Sequence, residues 1–172
     1  MNKLAALVLA LTLPFTATAA DPTTLGSWTL NVVDNPMNDV VNASALAFSA
    51  DKKWVLAIGC VTGRGLVSFV SAPRVLDYDA SRKVYIRYRS GPGAEVVGLH
   101  LEVKKDPTIA GGEDLVMWLD RGTGPESVIE APLYAKGRIV TAIPTDGYEQ
   151  AKAAILAACA PPKEEENAEA PD

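Results

Sequence analysis

The sequence predicts a mainly β protein: an antiparallel sandwich or barrel-like roll carrying a C-terminal α-helix. Three observations lead there. Short runs rich in β-branched residues alternate apolar and polar side chains, the period of a half-buried strand. Glycine, proline and asparagine signals separate these runs at short intervals, as in all-β domains. One alanine-rich segment near the C-terminus has helical spacing instead.

The first element is not part of the fold. "MNKLAALVLALTLPFTATAA" has Lys3 as a positive start, an apolar run from Leu4 to Leu13, and small residues at Ala17-Thr18-Ala19 and Thr18-Ala19-Ala20. This is the pattern of a secretory signal peptide over 1–20. The run is shorter than the ~20 apolar residues a membrane span requires, so no membrane span is expected after cleavage. The mature chain is then expected in the periplasm or outside the cell, as one β-rich domain over 21–160 followed by a disordered acidic tail over 161–172.

Strands are expected at "SWTLNVV", "VVNASALAF", "KWVLAIGCV", "LVSFVSA", "KVYIRYR", "EVVGLHLEV", "DLVMWLD" and "RIVTAIP". Thr62-Gly63-Arg64-Gly65 and Ser90-Gly91-Pro92-Gly93 read as hairpin turns. "PESVIEAPLYAKG" reads as a short helix with Pro125 at its first position and Pro132 as its limit. "TDGYEQAKAAILAACA" reads as a helix in which Asp146 and Glu149 have capping-box spacing. Ala151, Ile155 and Cys159 share its buried face, with Ala158 nearby.

The formal charge is −5, or −6 once Lys3 leaves with the leader. The tail sets Lys163 against Glu164, Glu165, Glu166, Glu169 and Asp172, a net −4, which leaves the domain near −2. Such a balance does not suit nucleic acid, whose binding rests on neutralising phosphates. The tail has too little to bury to order itself. Cys60 and Cys159 are the two cysteines. In an exported chain an even count favours a disulfide over zinc, which wants four ligands. A Cys60–Cys159 bridge would staple the last helix to a strand.

Chemistry is sparsely marked. His100 lies in "VVGLHLEV", on the opposite face from Val97, Leu99, Leu101 and Val103. It reads as a surface histidine. No G-x-S-x-G elbow accompanies it. A carboxylate pair leaves no linear signature, so a carboxylate-dependent hydrolase stays an alternative. The loop "DNPMND" gathers Asp34, Asn35, Asn38 and Asp39 around Pro36 and Met37. An ordered turn, a recognition loop with Met37 at its tip, or a metal loop would each use these residues, although the EF-hand spacing is absent. No catalytic residue, metal ligand or cofactor is assigned, and the chain is not expected to be an enzyme.

The order of short motifs resembles a family. It runs Trp28, then Pro36, Met37 and Asp39, then Cys60, Arg87, Gly147, Ala151 and Cys159. This pattern is similar to that of VasI-like proteins, small periplasmic proteins associated with type VI secretion. The segment "LYAKGRIVTAIPTDGYEQA" also resembles the invasion-associated locus B-like proteins, which are small, exported and largely β. Both resemblances imply a non-enzymatic periplasmic β-rich domain. The expected function is an accessory or binding protein with a partner in the cell envelope, to which the VasI-like resemblance adds a tie to a secretion system. The alternatives are an envelope or virulence-related structural protein and the hydrolase above. Nothing in the sequence sets an oligomeric state.

One strand supplies the candidate binding residues. Alternation in "KVYIRYR" puts Lys83, Tyr85, Arg87 and Arg89 on one face and valine and isoleucine on the other. This cationic, aromatic stripe is either a solvated face with its charges paired to carboxylates or a contact surface for an acidic partner. A turn closed by Ser90 and Gly93 would set Ile86 opposite Val97, Val84 opposite Leu99, Arg87 opposite Val96, Tyr85 opposite Gly98, and Lys83 opposite His100.

Overall fold

Alternating runs bury one face each, and here they bury it together. The computed structural model describes residues 21–160 except 36–39, 62–64 and 123. Ten strands form one antiparallel sheet: β1 (Thr23–Leu25), β2 (Trp28–Asn35), β3 (Val40–Phe48), β4 (Val55–Val61), β5 (Val67–Ser71), β6 (Lys83–Arg89), β7 (Val97–Val103), β8 (Ile109–Gly111), β9 (Glu126–Leu133) and β10 (Gly137–Pro144). Their spatial order is β1-β2-β3-β4-β5-β8-β7-β6-β9-β10. Two helices complete the fold, α1 (Glu113–Asp120) and α2 (Tyr148–Ala158). The architecture is mainly β with a C-terminal helix. The sheet keeps two edges, β1 and β10, so it is not a closed barrel, but β10 curls back to touch β3.

The inner face of β3 explains where α2 sits. Ala43, Ala45 and Ala47 are buried there and pair with Cys60, Ile58 and Leu56 of β4. Three small side chains leave a shallow trough, and α2 lies against β2, β3 and β4. It buries Tyr148, Ala151 and Ile155, the face expected from helical spacing. Tyr148 packs on Trp28 with ring centroids 5.6 Å apart. Cys159, at the end of α2, is disulfide-bonded to Cys60 with a Cα separation of 6.3 Å.

Several expectations need correction. "DLVMWLD" is the helix α1, not a strand: Leu115 and Leu119, four apart, are its buried residues, and Glu113 and Asp114 occupy its first turn. Acidic residues are favoured there by the helix dipole. "PESVIEAPL" is the strand β9, not a helix. Ser127, Ile129, Ala131 and Leu133 all point inward. Its ladder to β6 covers only Val128 to Glu130, so Pro132 lies outside it. The short strands β1 and β8 carry too little pattern to be read in advance. α2 has no capping box either. Gly147 is its N-cap, with φ +85°, and no side chain caps it. A Cβ on Gly147 would collide with the Leu25 carbonyl, so only glycine lets α2 begin this close to β1.

The β6–β7 hairpin keeps the expected faces but not the expected register. Ile86 pairs with Leu99, Val84 with Leu101, Tyr85 with His100, Arg87 with Gly98 and Lys83 with Glu102. The pairing is displaced by two residues because the turn is longer. Arg89 pairs with Val128 of β9 rather than with β7, and Gly91, at φ +134°, packs against Gly124. A two-residue shift preserves which side chains are buried. Tyr85 still covers Gly98, now diagonally: a Cβ on Gly98 would strike the tyrosine ring.

Candidate functional site

The outer face of β6 carries the stripe. Val84, Ile86 and Tyr88 are buried beneath it, and the Tyr88 hydroxyl lies 2.8 Å from the Ser127 hydroxyl. Burial raises the pKa of Tyr88, with Ser127 opposing. That anchored inner face holds Lys83, Tyr85 and Arg87 outward, where all three are exposed; Arg89 is half-buried. Residues from three neighbouring strands surround them.

Arg87 Nη1 donates to Glu130 Oε2 on β9 at 3.0 Å. Arg138 Nη1 on β10 donates to the other oxygen, Oε1, at 3.2 Å. One carboxylate is therefore shared by two guanidinium groups. Its side chain is 19% exposed against 47% for Arg87 and 43% for Arg138. The Arg138 guanidinium also lies 5.5 Å from the Tyr85 ring centroid, within cation–π range. The His100 ring is tilted against Tyr85 with centroids 5.0 Å apart. Glu130 thus offsets one of the two guanidinium charges beside it.

The face is not flat. A cleft of about 460 Å³ is lined by Lys83, Tyr85, His100 and Arg138, with Asp77, Asp79, Pro132 and Gly137 around it. Asp79 is engaged by its own loop: its Oδ1 accepts from the Ser81 N–H, the Ser81 hydroxyl and the Lys83 N–H. The Lys83 amide bond, followed by the Ser81 hydroxyl, holds its carboxyl below the usual range. A smaller depression of about 180 Å³ lies beside it, among Arg87, Arg89, Val96, Val128, Glu130 and Val140. The four residues read from the sequence therefore divide, Lys83 and Tyr85 to one hollow and Arg87 and Arg89 to the other.

Glu130 and Arg138 are site residues that the sequence reading missed. The signal existed as alternation in "ESVIEAPL", which places Val128 and Glu130 outward. It was masked by the flanking prolines, and no local pattern shows that β9 lies beside β6. His100 is exposed, as expected, but it faces Tyr85 rather than Lys83.

Polar groups of α1 and α2 bond to one another. The Tyr148 hydroxyl donates to Asp120 Oδ1 at 2.6 Å, and Lys152 Nζ reaches the same oxygen at 2.7 Å. Burial, reinforced by Asp120, pushes the Tyr148 pKa strongly upward. Burial pushes the Asp120 carboxyl up, but bonds from Lys152 and Tyr148 outweigh it and leave it lowered. Among the described residues, no group of three or more His, Cys, Asp or Glu is arranged to hold a metal. The 36–39 loop, the expected leader and the acidic tail lie outside the described residues. No helix among those described is long and apolar enough to cross a membrane.

This fold has a solved counterpart. The crystal structure of invasion associated protein B from Bartonella henselae superposes with a TM-score of 0.53, covering 80% of this chain and 96% of that one. The two sequences are 13% identical, so the likeness is one of fold. It agrees with the resemblance to invasion-associated locus B-like proteins. No family model matches the chain, and no curated protein does. Neither this structure nor any family model supports the VasI-like resemblance.

Proposed function

We propose that this chain is an exported envelope protein, periplasmic or secreted, that works by binding an acidic protein partner rather than by catalysis. The observation that carries this reading is the outer face of β6. There Lys83, Arg87, Arg89 and Arg138 lie around an exposed tyrosine, with Glu130 shared by Arg87 and Arg138 and with Asp77 and Asp79 at the rim of the cleft. Arginine and tyrosine are the side chains most enriched where binding energy concentrates. The likeness to an invasion-associated protein supports an envelope or virulence-related role. Association with a secretion system would be a finer version of the same role and rests on the VasI-like resemblance alone. The hydrolase alternative calls for a carboxyl with a raised pKa. The resolved carboxyl shifts, at Asp51, Asp79, Glu102, Asp106 and Asp120, are all downward.

The test is capture from envelope extract by the immobilised mature chain. Arg87→Ala and Tyr85→Ala should each weaken retention of a specific partner by about 30-fold or more, the ~2 kcal/mol of a hot-spot residue. Added salt should weaken it further through screening. Because the Arg87 ion pair is exposed, Arg87→Ala should change stability by less than about 1 kcal/mol. Retention that is unchanged in both variants would make the stripe a solvated sheet face.

A further inference from the structure

A second cationic surface lies at one end of the sheet, away from the Arg87–Glu130 pair. Three connections meet there: the β3–β4 turn around Asp51 to Lys53, the segment after β5 at Pro73 to Val75, and the tip of the β9–β10 hairpin. Residues from all three line an open cleft of about 420 Å³, among them Lys53, Arg74, Leu133, Lys136 and Ile139. The hairpin tip is exposed without interruption from Tyr134 to Val140. Tyr134 is 69% exposed, and Val75 beside it is 40% exposed. The tip is nonetheless held in place. The Tyr134 N–H donates to the Val75 carbonyl at 3.0 Å, and the Lys136 N–H to the Leu133 carbonyl at 3.0 Å.

The charge here runs against that of the molecule. Lys52, Lys53, Arg74 and Lys136 stand against Asp51, so this end is positive on a chain of formal charge −5. Asp51 is already occupied: it accepts from the Ser49 hydroxyl at 2.6 Å and the Lys53 N–H at 3.1 Å, and pairs with Lys53 Nζ at 3.5 Å. No ion pair joins Lys52, Arg74 or Lys136 to a carboxylate among the described residues.

We propose that this end docks on an anionic lipid surface, Tyr134 and Val75 entering the headgroup region while Arg74, Lys136 and Lys52 meet the lipid phosphates. Tyrosine favours that boundary because its ring is apolar and its hydroxyl is polar. Basic residues around it add attraction to anionic headgroups. A protein partner needs roughly 800 Å² of matching surface on each side. A narrow hairpin tip offers little of that, whereas a bilayer yields around it. The inference is independent of the partner proposed for the β6 face.

Co-sedimentation of residues 21–172 with vesicles tests it. Vesicles of phosphatidylcholine with phosphatidylglycerol should retain the protein, and those of phosphatidylcholine alone should not. Lys136→Glu, Arg74→Glu and Tyr134→Ser lie on exposed positions, so each should leave the melting temperature unchanged while lowering retention about five-fold or more. Tyr134→Trp should raise retention, and Arg87→Ala should leave it alone. Equal retention by neutral vesicles, or none by anionic ones, would overturn the proposal. So would loss with Arg87→Ala but not with the tip variants, which would assign lipid binding to the β6 face. Displacement by inorganic phosphate would also overturn it and mark a free-anion site.

Discussion

The two halves of the sheet are finished differently. In β1–β4 the inner face is covered by α2, floored by the alanines of β3 and closed by the Cys60–Cys159 bond. In β6, β7 and β9 the inner face is just as buried, but the outer face, with β10 beside it, carries Arg87, Glu130, Arg138 and Tyr85, joined by exposed contacts. The first half is held by apolar contact and a covalent bond. The second adds charge that contributes little to stability and remains available to a partner. Stability and recognition are therefore assigned to separate regions, and each can be perturbed without the other.

The largest expected effect comes from breaking the staple. In the chain-entropy model, a loop as long as that closed by Cys60–Cys159, with a sequence separation of 99, contributes about 4–5 kcal/mol. Cys60→Ser should therefore lower the melting temperature by about 15 °C in thermal unfolding. Capture through the β6 face at a temperature below that transition should not change. A parallel loss of capture would mean the halves are not independent.

Next is the alanine trough. Ala45 is fully buried, and α2 packs on its strand. Ala45→Leu should force α2 outward and cost about 1–3 kcal/mol of overpacking, read by chemical denaturation. A neutral result would show that small residues in β3 are not what admits the helix.

Acid should produce the smallest and most uniform change. Asp51, Asp79 and Asp106 are lowered chiefly by hydrogen bonds, and Asp120 is lowered by Lys152 and Tyr148 against its burial. A carboxyl with a depressed native pKa contributes fully above its unfolded value, near 4, and its contribution fades as pH falls through the native value. Melting temperatures should hold from neutral pH to about pH 5 and then decline gradually below about pH 4. A rise in that window would reverse the assigned signs.

How much was legible follows from the range of each signal. Period-2 alternation gave the buried and exposed faces of β6 and β7, since pleating alone sets them. It could not give their register, because any shift of two residues satisfies the same pattern. The choice was made by Arg89 turning toward β9 and Gly91 seating on Gly124. Helical spacing gave the buried face of α2, and cysteine parity, read with the expected leader, gave the bond. "DLVMWLD" and "PESVIEAPL" were exchanged between helix and strand because apolar runs this short fit either period. That exchange hid Glu130, and with it the carboxylate that joins Arg87 to Arg138.

The seam between β1 and the start of α2 has a consequence for how the chain comes together. The Ser27 N–H donates to the Asp146 carbonyl at 2.9 Å, Gly26 lies against Asp146, and Gly147 lies against Leu25. Residues near the two ends of the domain thus complete one another, and Trp28 is sealed by Tyr148. A nascent chain that stops short of Asp146 leaves its first strands without their cover. Contacts so distant in sequence form slowly, since a long loop must close before they reward it. The domain therefore finishes folding late, after its last helix has been made.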